Sequence, residues 1–160
     1  MDFDRSFTAI LRMEVAAGTD GPTTPEGKFL ALSLCVQGLL GEFTSKPLLF
    51  KQTLMSLHLG RRAYKDLEQC GWIQDKMFKP EFRLSRNVSL HHDAQRHVIS
   101  CQKVDIGYPS VSSVDIELSV NNRLLMAILL DYADEPGLVT TLGNADIAGL
   151  TGFTKNQVMV

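Results

Sequence analysis

With 160 residues and 44% apolar content, the chain can bury a core as one large domain or two small ones, which excludes the disordered and low-complexity classes. The net charge of −2 does not announce a nucleic-acid binder, but the average hides a split. Between Lys46 and Lys103 eleven lysines and arginines face five acids, whereas the remainder holds five basic and thirteen acidic residues, so a basic middle between acidic flanks points to one electropositive surface.

The three cysteines, Cys35, Cys70 and Cys101, are widely spaced and form no CxxC pair, which fits reduced thiols in a cytoplasmic protein. The opening MDFDRSF is acidic and has no apolar signal core, so no secretion signal is expected. The longest apolar run, Leu124 to Leu130, is far short of the ~18 residues of a membrane span and reads as a core helix.

In chain order, Phe3, Phe7, Ile10, Leu11 and Val15 recur at helical spacing and predict an amphipathic helix over residues 4–17, within an N-terminal segment 1–20. Its stripe is large enough to pack on a second subunit, so a homodimer through this helix is an expected partner. Thr24-Pro25-Glu26 is a helix start: a cap, a proline in the first turn and an acid near the positive end. That helix is expected to be central and to run to about Leu40, where Gly41 stops it. Ser45-Lys46-Pro47 opens a helix to about Leu54. In the next helix, Leu57 to Cys70, Leu59, Ala63, Leu67 and Cys70 fall on one side, and His58, Arg61, Arg62, Lys65 and Gln69 on the other. Its start lies at Ser56 or at Gly60. Gly71 supplies a left-handed stop, and Trp72-Ile73 begins an extended segment. Alternating Phe82, Leu84, Val88 and Leu90, with a second extended run near His97 to Ile106, predict a long hairpin whose polar tip is HHDAQRH. Residues 107–118 read as a linker. Ser119 caps a helix through about Tyr132, and Asp134-Glu135-Pro136-Gly137 is a turn.

The last stretch, NADIAGLTGFTKNQVMV, carries the most specific pattern. Asn144 can cap a helix in which Ile147, Ala148 and Leu150 take core spacing, Ala148 being small enough for a second helix to cross. Gly152 can take the left-handed backbone of a tight turn, Phe153 plugs it, Thr154 caps the next helix and Val158 faces back to the core. Lys155, Asn156 and Gln157 are then left outward, with side chains of the types that meet phosphates and base edges.

This Ala, Gly, Val spacing resembles the helix-turn-helix superfamily of bacterial and phage DNA-binding proteins. The helix from Leu57, with a basic stripe and a Gly-Trp-Ile ending, resembles the reading helix and following strand of a winged helix-turn-helix, although the Ala, Gly, Val spacing is missing before it. The resemblance implies a mostly α fold with small β-hairpin wings in tandem units: a first winged-helix domain over 21–106 and a second, incomplete helix-turn-helix over 119–160. The implied partner is double-stranded DNA, met by His58, Arg61, Arg62, Lys65, Gln69, Lys155, Asn156 and Gln157, with wing contacts to phosphate from Lys79, Arg83, Arg86 and Arg96. The implied use is bacterial or phage transcriptional regulation. Its alternatives are replication initiation by a phage or plasmid protein, and a winged-helix scaffold that binds protein, which the negative net charge favours.

No catalytic constellation, phosphate loop or nucleophile elbow is present, so neither enzyme activity nor a cofactor is expected. His91, His92, His97 and Cys101 fit no compact zinc spacing and read as a polar wing tip, so no metal is expected. Asp131, Asp134 and Glu135 read as a solvated turn. The reading helix near Thr154 would need about three turns, yet less than two turns of sequence follow, so the expectation is either a fragment or a degenerate second unit.

Overall fold

The computed structural model describes residues 21–37, 41–42, 45–79, 97–100, 103–105, 115–133 and 138–158. Within them the chain is mostly helical, with short antiparallel strands. The amphipathic helix expected over residues 4–17, and with it the dimer stripe, lies outside the described residues.

Helix α1 (Pro25–Val36) begins as its sequence dictates: Thr24 Oγ1 accepts the Gly27 amide at 3.1 Å, and proline occupies the first turn. Every residue from Glu26 to Val36 is buried, so α1 is the central helix. It stops at Val36, short of the expected Leu40. Strand β1 (Gly41–Glu42) follows, then α2 (Lys46–Gln52), whose cap Ser45 accepts the Leu48 amide at 3.3 Å.

Helix α3 (Leu57–Gln69) starts at Ser56, which settles the choice of start. Gly60 lies inside the helix because the Phe50 ring of α2 occupies the space of a Cβ there. At this contact Phe50 is the large partner and Gly60 the small one. The turn between the two helices runs through Leu54, held at φ 54°, while the buried Thr53 hydroxyl donates to the Leu49 carbonyl at 2.9 Å. At its other end α3 closes with paired bonds, Gly71 N to Glu68 O at 3.1 Å and Trp72 N to Leu67 O at 3.0 Å, with Gly71 at φ 81°. Such an ending folds Trp72 back over Leu67 and aims the chain into a strand.

Strands β2 (Ile73–Gln74) and β3 (Met77–Phe78) are joined by Asp75 and Lys76 alone, at φ 50° and 59°, the two left-handed residues of a type I′ turn. Strand β3 is central in the sheet, with Gly41 opposite Phe78 on one side and Ile73 opposite Phe78 on the other. The long hairpin expected over residues 82–106 is described only in its second run, which departs from the expectation. Residues 82–96 lie outside the described residues. Residues 97–100 are helical rather than extended, with Val98 and Ile99 buried. Strand β4 (Lys103–Asp105) pairs antiparallel with β5 (Asp115–Glu117), so the expected linker ends in a strand.

Helix α4 (Val120–Asp131) is capped by Ser119 as expected and packs on α1. Leu124, Ala127 and Ile128 are buried. Its Arg123 is fully buried: Nε donates to the Val98 carbonyl at 3.0 Å, Nη2 donates to the Ile99 carbonyl, and the guanidinium lies 4.5 Å from the centre of the Phe29 ring. The cation satisfies the carbonyl end of the 97–100 turn and ties it to α1. Helices α5 (Asn144–Thr151) and α6 (Lys155–Val158) follow. The cap of α5 is Gly143, whose amide donates to Asp146 at 2.9 Å, and not Asn144, which is the first helical residue. One apolar core runs from Phe29 through Trp72 and Phe78 to Leu124, Ile128 and Leu150, joining both halves of the chain.

The two helical pairs recur at an offset of 98 residues: caps Ser45 and Gly143, Thr53 and Thr151 with the same hydroxyl bond to the fourth residue back, and left-handed Leu54 and Gly152. The backbone geometry of the first pair is thus repeated in the second.

Candidate nucleic-acid interface

Helix α3 presents a polar face because every fourth residue from its start escapes the core. Leu57, Arg61 and Lys65 form one line and His58, Arg62 and Gln69 lie beside it, all exposed. Between Ser45 and Lys79 the chain carries seven lysines and arginines against three acids, and one of those acids, Asp66, is buried. Lys51 of α2, Lys76 at the tip of the tight hairpin and Lys79 after β3 are exposed as well. Lys46 also belongs to this surface, its ammonium 4.1 Å from the centre of the Tyr64 ring, where the ring face attracts a cation. The short hairpin tipped by Asp75 and Lys76 follows α3 directly. Of the four expected wing contacts, Lys79 is described and exposed, while Arg83, Arg86 and Arg96 lie outside the described residues.

Arg62 has a further role that its place on the stripe conceals. Its Nη2 lies 2.8 Å from Oε1 of Glu26, a carboxylate on the first turn of α1 that is 7% exposed while Arg62 is 59% exposed. Beside it Asp66 accepts from Thr23 N at 3.0 Å, Thr24 N at 2.9 Å and Thr24 Oγ1 at 2.7 Å. The carboxylate thus caps the start of α1 from the neighbouring helix, supplying acceptors to amides that have none within their own helix. Lys28, one turn along α1, is also buried. Burial lowers its pKa to about 8 against the opposing pull of Asp66. Sequence reasoning missed this network. The available signal was an acid, Asp66, set among Ala63, Leu67 and Cys70 on the apolar side of α3.

Lys155, Asn156 and Gln157 are exposed at the start of α6, as expected. Gln157 is partly committed, its Oε1 accepting Thr154 N at 2.8 Å and Thr154 Oγ1 at 3.1 Å at the start of the helix. Phe153 and Val158 are half-buried rather than fully enclosed. Gly152, at φ 74°, lies so close to the start of α1 that a Cβ would run into the Thr23 carbonyl. The turn of the second pair therefore rests on the same residues that Asp66 caps.

Cys35 is buried, and burial raises its thiol pKa to about 12; Cys70 is half-buried, its pKa also raised chiefly by burial, and its Sγ donates to the Leu67 carbonyl at 3.4 Å. Neither is poised as a nucleophile. His97 is exposed; His91, His92 and Cys101 lie outside the described residues. Among the described residues no group of three or more His, Cys, Asp or Glu converges on one point, and no helix is long and apolar enough to cross a membrane.

No protein-family model, curated protein or solved structure matches the chain.

Proposed function

We propose that this chain is a winged helix-turn-helix protein that binds double-stranded DNA, with α3 in the major groove and the Asp75–Lys76 hairpin beside the sugar-phosphate backbone. The observation that carries this reading is the coincidence of two features. The order helix, strand, helix, helix, hairpin, with β1 closing against the second hairpin strand, supports a winged-helix reading. The second helix of its pair is also the one with the exposed basic face. Arg61 and Lys65 are its principal DNA contacts, and His58 and Gln69 flank them. Arg62 holds α3 to α1 through Glu26 and contributes less to the groove than the stripe alone suggests.

Transcriptional regulation is the use that fits best. Replication initiation is the second reading, favoured by the recurrence of the helical pair 98 residues later, with α6 offering Lys155 and Asn156. Selection from random duplex DNA separates the two, since a palindromic site marks a two-fold regulator and spaced direct repeats mark an origin. Binding itself is tested by titrating protein into labelled duplex at several salt concentrations. Replacing Arg61 and Lys65 together by Ala should lower the slope of log affinity against log salt by about 2, one per lost phosphate contact, with helical content retained. An unchanged slope in the folded double variant, or no salt-dependent binding by the parent protein, would refute the assignment and favour a protein-binding scaffold.

A further inference from the structure

Three leucines stand out of this basic surface: Leu48 on α2, Leu54 in the turn and Leu57 at the first position of α3, with 46%, 40% and 53% of their surface exposed. Large apolar side chains left in water on a helical pair and in its turn call for a covering partner. Leu54 adds a second observation. It keeps its bulky side chain at φ 54°, a conformation that favours glycine, and glycine stands at the corresponding turn of the second pair, Gly152. The same backbone is thus built without strain 98 residues on, so the leucine is held in place for its side chain.

We infer that Leu57, with Leu54 beside it, reads the 5-methyl group of thymine in the major groove, which makes the recognised site thymine-dependent at one position beside the contact made by Arg61. This inference rests on the DNA-binding reading and deepens it. The first residues of a reading helix are those that reach base edges, and thymine is the base that presents an apolar group there. Leu57 is one turn before Arg61 and two before Lys65 on the same line of α3. The rim of the leucine patch is cationic, with Lys51 and Arg61 exposed beside it, so its partner must combine anionic groups with a small apolar one. A thymine-containing duplex offers both.

The test begins with duplexes selected by the protein from a random pool. The bound duplex is then resynthesised with deoxyuridine in place of each thymine in turn, which removes the methyl and leaves base pairing intact. The parent protein should lose roughly fourfold in affinity at one thymine, the fold-change of one buried carbon at ~0.8 kcal/mol. Leu57→Ala should bind the thymine and uracil duplexes equally while keeping the salt slope of the parent, because Arg61 and Lys65 are untouched. Leu57 is exposed, so the variant should fold, as its circular dichroism checks. Equal affinity of the parent for thymine and uracil at every position overturns this inference alone, as does a thymine preference that survives in Leu57→Ala. Failure to retain any duplex overturns the DNA-binding reading and this inference with it.

Discussion

Replacing Asp66 by Ala should be the most damaging polar substitution in the described part of the chain. The side chain accepts three short bonds, at 2.7, 2.9 and 3.0 Å, from Thr24 and Thr23, and it is the countercharge nearest to buried Lys28. Bonds to a charged acceptor contribute about 1.5–3 kcal/mol each when buried. Thr23 is exposed and regains water, so its share is smaller, which gives a loss of about 3–4 kcal/mol, or roughly 10 °C in Tm for a chain of this size. Asp66→Asn keeps one accepting oxygen and should lose about half as much. The geometry adds a sharper test. A Cβ on Gly27 would run into the Asp66 carboxylate, so Gly27→Ala should be destabilising in the parent and much less so in Asp66→Ala. Urea unfolding of the two single variants and the double variant supplies the coupling energy. Asp66→Ala losing less than about 1 kcal/mol, or strict additivity with Gly27→Ala, would refute the claim that this carboxylate joins α3 to the start of α1.

Lys28→Met should raise stability by about 2 kcal/mol at pH 7, because burial lowers the lysine pKa from 10.5 to about 8. The folded chain then binds this proton more weakly than the unfolded chain. The penalty is full below pH 8 and fades as pH rises toward 10.5, so the advantage of the variant should shrink at pH 10; an equal or wider gap there would contradict this. Cys35, whose thiol pKa is raised to about 12, lowers stability above pH 9 in both proteins and cancels from the difference. At the two matching turns, Gly152→Ala should cost about 2–4 kcal/mol through its left-handed backbone and the Thr23 carbonyl in its path, whereas Leu54→Gly should gain up to about 1 kcal/mol; unfolding midpoints check both, and a neutral Gly152→Ala would remove the proposed close approach.

Local chemistry alone determined where most described helices begin. Thr24-Pro25, Ser45, Ser56 and Ser119 are caps whose side chains meet an amide three residues on, and Gly71 and Gly152 are the residues that tolerate a left-handed ending. The outward line of α3 was equally legible, because helical periodicity fixes which side chains share a face. Tertiary structure decided the rest. Whether α3 starts at Ser56 or at Gly60 stayed open in sequence, and the Phe50 ring packed against Gly60 within the helix is a contact that no local window contains. The apolar residues near position 98 suit a strand as well as a helix, and burial of the 97–100 turn against Arg123 selected the helix. A two-residue hairpin at Asp75–Lys76 was hidden because neither residue is a glycine; pairing of β3 with β1 as well as β2 holds them left-handed. Asp66, Glu26 and Lys28 are charged residues that no local pattern places in the core. Only the docking of α3 on α1 shows that they are buried and that Arg62, one member of the exposed stripe, is tied to one of them.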